Sequence, residues 1–362
     1  MNVTKTQKTE LSLNVHSNIQ VDVSGILTII LEAMTFLCNI LPACAVFQPN
    51  FSRERTITDC FIGALALNDL VSVAVPLSVG IPTLWRKKWV GSRLSCELYQ
   101  ASTVWFQLNA MMLVTAMSCD RFFSLKPLAY QRDDKKKRSR LFILICSISG
   151  GALLISLLPI LGLGNTGVRK SGLLTYCPCI LIIKPTSTKE NIFPVVLLLL
   201  GYSTFISVSF CNFTVLRLLS SFKTRWKRRE LIAGRARQDR RDVAACAKLV
   251  GVLALLFYLT WTPAMVLLTL NQTRREVNEI TAVYAFTSLT INSLAHPLVY
   301  GIFSAQFRQR YQQLVSPLLR LQQRCWFSAK RAGSSCCSAS GASARMKKAR
   351  LRLRARMRET AI

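Results

Sequence analysis

Apolar residues gather in seven long stretches, near 24–47, 58–80, 97–119, 141–163, 192–216, 244–270 and 281–302, with polar segments between them. A bilayer core about 30 Å thick takes roughly 20 apolar residues of helix to cross. Each stretch meets that length, so the pattern predicts an all-α membrane protein, a bundle of seven transmembrane helices. An odd number of crossings puts the two termini on opposite sides. No connecting segment is long enough to fold as a second domain. Three parts follow: 1–22 outside, 23–302 in the membrane, and 303–362 as a cytoplasmic helix and basic tail.

Polar residues within the spans are costly in lipid and turn towards the bundle interior. Glu32 and Asn39 are seven residues, about two helical turns, apart and share one face of the first span. Asp69 sits mid-span in Leu67-Asn68-Asp69-Leu70, and Asn292, Ser293 and His296 lead up to Pro297 in the seventh. Asp69, Asn292 and Ser293 are candidates for a sodium or water site. The plainer reading is a closed hydrogen-bond network without an ion, and both stay open. The third span ends on Asp120-Arg121-Phe122, an acid and a base at the cytoplasmic border. Trp261-Thr262-Pro263 lies in the sixth span and Pro297-Leu298-Val299-Tyr300 in the seventh. Each proline removes one backbone hydrogen bond and kinks its helix. Phe303 to Arg308 then reads as a short amphipathic helix on the membrane surface.

Charge changes the picture through its placement. A net charge of +30 is a footprint seen in nucleic-acid binders. Here, however, 35 of the 47 Lys and Arg fall on one side of the seven-span pattern or at its border. Lys and Arg in short loops stay with the cytoplasmic face. The amino terminus is therefore expected outside and the carboxyl terminus inside at the plasma membrane, with lipid rather than nucleic acid facing the basic segments. Trp85-Arg86-Lys87-Lys88 in the first outer loop runs against the rule without reversing it. The basic third inner loop, Phe222 to Asp242, is expected to prolong the fifth and sixth helices and attract anionic lipid. Residues 1–22 hold no hydrophobic core with a cleavage site, so the first span is expected to act as signal anchor. Asn2-Val3-Thr4 is an outer N-glycosylation acceptor.

Of thirteen cysteines, Cys38, Cys44, Cys60, Cys119, Cys146, Cys211 and Cys246 lie in or beside spans, where small apolar packing is the plain reading. Cys96, Cys177 and Cys179 face the oxidising side and can pair. Cys325, Cys336 and Cys337 sit among basic cytoplasmic residues and are candidates for S-palmitoylation, against plain free thiols. The two histidines, His16 and His296, form no metal-spaced cluster, and no nucleophile elbow is present. An enzyme is not expected, nor a cofactor.

Together these landmarks resemble the rhodopsin-like G-protein-coupled receptors over roughly residues 22–310. Asn39, Leu67-Asn68-Asp69-Leu70, Asp120-Arg121-Phe122, Trp261-Thr262-Pro263 and Pro297-Leu298-Val299-Tyr300 fall in the family's order on the family's spans. The resemblance implies a heterotrimeric G protein as partner, with Asp120, Arg121 and Tyr300 at the coupling switch and Pro263 and Pro297 as its kinks. It implies a bridge from Cys96 to Cys177 or Cys179, with Cys177 favoured by the proline after it. It also implies a ligand pocket involving Thr103, Gln107, Trp261, Met265 and Thr287. Within the family, Leu157 to Gly164 followed by Tyr176-Cys177-Pro178, with Leu249-Val250-Gly251 and Asn271-Gln272-Thr273, is most similar to prostanoid receptors. Those receptors hold a ligand carboxylate on a seventh-helix arginine, where this chain has Thr287. The fourth span has no tryptophan, His296 stands for the seventh-helix asparagine, and Ala110 occupies a frequent sodium-site hydroxyl position. Val243, beside Asp242, stands where relatives place an acid opposite Arg121. An opsin's Schiff-base lysine is matched by Thr290, and the amine receptors' aspartate by Thr103.

The expectation is a receptor that turns binding of an extracellular ligand, prostanoid-like or another lipid, into G-protein activation by favouring one conformer. A peptide ligand is the alternative. A transporter is the rival class; it calls for inverted repeats and paired mid-membrane acids, and the sequence has no internal symmetry.

Overall fold

A computed structural model describes residues 26–48, 56–86, 88–124, 134–171, 174–177, 187–228, 235–273, 279–304 and 307–316. The seven long helices are α1 (Ile26–Phe47), α2 (Ile57–Arg86), α3 (Arg93–Ser124), α4 (Asp134–Leu157), α5 (Ile192–Arg228), α6 (Arg235–Gln272) and α7 (Glu279–Phe303). An eighth, α8, covers 307–316. The chain divides into two compact units, Met1–Arg308 and Gln309–Ile362. The first holds all seven long helices. Of the second, 309–316 are described, as helix.

The helix starts are written locally. Thr56 and Asp59 cap α2 reciprocally: the Asp59 carboxylate accepts from the Thr56 N–H at 2.9 Å, and the Thr56 hydroxyl accepts from the Asp59 N–H at 3.2 Å. Ser92 caps α3, its hydroxyl accepting from the Ser95 N–H at 3.2 Å. Ser304 does the same for α8 through the Phe307 N–H.

Several helices outrun their apolar stretches. At 30 residues, α2 is about 45 Å long, so Arg86, expected in a loop, is its last residue. The fourth span departs the other way. Its apolar run reaches residue 163, but α4 ends at Leu157. Pro159 then enters a π-helical turn, Pro159–Leu163, closed by the Leu163 N–H donating to the Leu158 carbonyl at 3.0 Å. Gly162 has φ +82°, a left-handed value that ends the turn.

Segments in α1, α2, α4, α5 and α6 are long and apolar enough to cross a membrane. Helices α3 and α7 have the length, but polar residues dilute them, and those residues are buried: Asn109 and Ser118 in α3, Asn292, Ser293 and His296 in α7. Large apolar side chains point outward instead, among them Leu37, Phe142, Leu154, Ile206, Leu259 and Ile302. Polar groups inside and bare leucine outside is the arrangement lipid demands.

Helix α3 packs against α2, α4 and α5, while α6 bridges α5 and α7. At Gly63 a Cβ would meet Val46 Cγ1 at 2.7 Å, so α1 and α2 touch through the missing side chain. Beyond the π turn, β1 (Arg169–Ser171) and β2 (Leu174–Tyr176) form an antiparallel hairpin in the register Arg169 to Tyr176.

Candidate functional site

A polar seam crosses the interior of the bundle. Asp69 is 1% exposed, and both carboxylate oxygens are engaged by α7: Ser293 Oγ donates to Oδ1 at 3.1 Å, and His296 Nδ1 lies 3.3 Å from Oδ2. Asn39 of α1 joins through Nδ2, which donates to the Ser293 carbonyl at 3.1 Å and to the Thr35 carbonyl at 2.9 Å. Asn68 reaches the Phe106 carbonyl on α3, and Asn109 Nδ2 donates to Asn68 Oδ1 at 2.8 Å. Four helices are thus tied through one carboxylate and three amides. Asn39 Oδ1, Asn109 Oδ1 and Asn292 Oδ1 are buried acceptors without a protein partner. Polar acceptors of this kind suit ordered water, which typically makes about three hydrogen bonds in such a place. Within the group Asp69, Asn292 and Ser293, the Ser293 hydroxyl is bonded to Asp69 and the Asn292 side-chain oxygen is left without a protein partner.

An aromatic file runs from this seam along α7. His296 and Tyr300 stack at 6.2 Å, and Tyr300 meets Phe307 at 5.7 Å. Tyr300 is fully buried. The Asp69 pair is thereby connected through packed rings to the first residue of α8.

At the amino-terminal end of α3, Cys96 is disulfide-bonded to Cys177, with Cα atoms 5.8 Å apart. Cys179 lies outside the described residues. The Gly167 N–H donates to Gln100 Oε1 at 3.2 Å, a second tie between the hairpin's approach and α3.

Below this tie lies a partly open cavity of about 50 Å³. Thr103 and Gln107 of α3, Gly201 of α5, Trp261 and Met265 of α6, and Leu289 of α7 line it; the other lining residues are Val, Leu, Ala and Met, and none is charged. The Thr103 hydroxyl is spent on the Tyr99 carbonyl at 2.9 Å. Trp261 Nε1 is buried and has no acceptor. At Gly201 a Cβ would collide with Sδ and Cε of Met265, so α6 uses the bare glycine to fill the cavity edge. Thr287 departs from the sequence expectation: it is half-buried on α7 but outside this lining. It lies two residues from Leu289, about 200° around the helix.

The cavity and the seam meet at the kinks. Trp261 packs on Phe257, and Phe257 on Phe205 of α5. Pro263 lies inside α6 and leaves the backbone ladder one donor short. One turn before it, Ser288 Oγ of α7 donates to the Thr260 carbonyl at 2.8 Å. Pro297 lies inside α7, one residue after His296. Near the carboxyl-terminal end of α3, Asp120 and Arg121 are half-buried and Arg121 Nε is a buried donor with no acceptor.

Asn2, Cys325, Cys336, Cys337 and the Asp242-Val243 pair fall outside the residues whose structure or side chains are described. The sequence reading missed Asn109, Gly201, Leu289 and Ser288. A signal existed for Asn109, a polar residue deep in a span; the other three depend on which helices meet.

Comparison with known proteins gives one consistent answer. Residues 39–300 match the family described as 7 transmembrane receptor (rhodopsin family). The Gq-coupled rhodopsin of Mizuhopecten yessoensis is 26% identical over 74% of this chain and 54% of its own length. Melanopsin-B of Xenopus laevis is 24% identical over 82% of this chain and 55% of its own. The somatostatin receptor type 4 of Rattus norvegicus is 22% identical, covering 73% of this chain and 66% of its own. The chain thus spans about half the length of the opsins it matches. In fold it resembles the crystal structure of squid rhodopsin, with a TM-score of 0.69 and 21% identity over 82% of this chain and 85% of that one. The named relatives are opsins and a peptide receptor, and the likeness that carries is to the rhodopsin family as a whole.

Proposed function

Because this chain belongs to the rhodopsin family of seven-transmembrane receptors, we propose that it turns binding of an extracellular ligand into activation of a heterotrimeric G protein at the plasma membrane. The family is one of receptors, not of enzymes or transporters. In this reading 1–22 face outside with Asn2 as glycosylation acceptor. Residues 303–362 lie in the cytoplasm, with Cys325, Cys336 and Cys337 as acylation sites. Asp120, Arg121 and Tyr300 carry coupling.

The ligand is an uncharged, largely apolar small molecule. The carrying observation is a cavity walled by α3, α5, α6 and α7 with no charged side chain in its lining; Trp261, one of the lining residues, has a buried indole N–H without an acceptor. An apolar lining with few polar groups suits a small apolar ligand, and a carbonyl or hydroxyl oxygen on it satisfies the indole. An ammonium or carboxylate would be desolvated there without a partner, at a cost of several kcal/mol. The prostanoid likeness of Leu157 to Gly164 and Tyr176-Cys177 therefore supports a lipid, but a neutral one. The opsin relatives do not bring retinal with them: a Schiff base needs a lysine amine, and α7 contains none.

The test is a G-protein dissociation assay on the full-length receptor, challenged with neutral lipids, fatty acids, amines and peptides. Inositol phosphate release serves as second readout, since one relative is Gq-coupled. A response to a neutral lipid that is lost in Arg121→Ala is expected. A response confined to amines, carboxylates or peptides overturns the ligand class; substrate uptake without nucleotide exchange overturns the receptor.

A further inference from the structure

We propose that Cys119 on α3 and Cys211 on α5 are a redox-active pair, whose oxidation by a hydroperoxide staples the two helices together beside Arg121. Their sulfurs lie 3.7 Å apart although 92 residues separate them in the chain. The seam around them is in contact on both sides. Asn212 Nδ2 donates to Ser118 Oγ at 3.4 Å, and the Phe122 and Phe210 rings meet edge to face at 5.6 Å. Residues 118, 119 and 122 of α3 thus meet residues 212, 211 and 210 of α5 in turn. Closing the bond takes the sulfurs from 3.7 Å to about 2.05 Å, a movement of side chains rather than of helices.

The two thiols are not equivalent. Cys119 is half-exposed on the bundle surface, while Cys211 is buried at 5% exposure. Access and thiolate character decide which thiol reacts first, so Cys119 is the one attacked and Cys211 resolves it. The Cys119 sulfur displaces the alcohol from the hydroperoxide and becomes a sulfenic acid. Cys211 then attacks that sulfur, the S–S bond forms and water leaves. Two thiols give up two electrons and two protons, and the peroxide becomes one alcohol and one water. A lipid hydroperoxide dissolves in the bilayer the bundle crosses, so the oxidant can approach the less buried of the two thiols from the lipid phase. On the cytoplasmic half of a membrane protein such a bond is transient and reversed by cellular thiols.

The pairing rests on geometry alone, whereas its effect on signalling rests on the receptor reading above, and the test separates them. The full-length protein in phosphatidylcholine nanodiscs is treated with cumene hydroperoxide, alkylated with N-ethylmaleimide, digested and mapped by mass spectrometry. The expected result is a Cys119–Cys211 linked peptide that disappears after dithiothreitol and is absent from Cys119→Ser and Cys211→Ser. The Cys96–Cys177 link persists in all three as the folding control, and Cys119→Ala with Cys211→Ala replace any serine variant that loses it. Cys44 and Cys146, exposed thiols, report general oxidation. Two outcomes overturn the proposal: Cys119 carried to sulfinic or sulfonic acid while Cys211 is alkylated, or both alkylated while Cys44 and Cys146 are oxidised. In the second case the pair is packing only. Given the link, G-protein activation is expected to fall on oxidation in the wild type and not in Cys119→Ser; an unchanged wild type retires the effect on coupling but not the bond.

Discussion

At the scale of single residues, the buried carboxylate of Asp69 organises more of the interior than any other side chain described. It accepts from Ser293 and faces His296, and neither partner is exposed. Replacing it with alanine strands a hydroxyl and an imidazole in a low-dielectric interior, at roughly 1–3 kcal/mol for each lost partner. Asp69→Ala is expected to lower the thermal midpoint of the purified receptor by several degrees, and Asp69→Asn, which keeps the shape and one acceptor, by less. A midpoint unchanged in Asp69→Ala would mean the seam is not the tie described. Trp261 makes a different kind of prediction. Phenylalanine keeps the aromatic packing on Phe257 but deletes the unspent N–H. Losing one hydrogen bond worth about 1 kcal/mol is a five- to tenfold loss of ligand potency. That loss should appear in the agonist dose–response, with receptor abundance unaltered.

Elements set the next level. The hairpin Arg169–Tyr176 has only three residues per strand and is too small to be stable alone. Its position depends on the Cys96–Cys177 bond and the Gly167 to Gln100 hydrogen bond. Cys177→Ser is expected to cost about 2–4 kcal/mol of stability and to reduce surface expression, measured by flow cytometry on tagged receptor. Helix α7 carries Thr290 and no lysine, so adding 11-cis-retinal should produce no visible absorbance band from a protonated Schiff base. The end of α4 shows an element overruling a pattern. Apolarity continues to residue 163, but a proline and a left-handed glycine break the helix at 157.

At the scale of the whole molecule, the described residues combine a mostly apolar core crossed by a polar seam with large aliphatic side chains on the surface, which fits a lipid solvent. The seven helices and the basic segments between them predict opposite faces for the two ends. Epitope tags at residues 1 and 362 should be reached by antibody before and only after permeabilisation, respectively. Much of this was readable along the chain. Asn39, Asp69, Asn292, Ser293 and His296 stood out because a polar group in an apolar run is costly enough to need a reason. Trp261 and the two prolines stood out because they sit at fixed places in such runs. Thr287 was harder to place, since position on a helix face shifts by 100° per residue and which face meets a cavity is set by the neighbouring helices.

Sequence by itself determined the number of helices and the residues that had to be hidden, because hydropathy and helical period are local properties. Only the tertiary structure decided which hidden groups meet. Asn68 with Asn109, Cys119 with Cys211, Cys96 with Cys177, and Gly201 with Met265 each join helices far apart in the chain. Such contacts depend on how ridges of one helix seat against another, and no single segment encodes that fit.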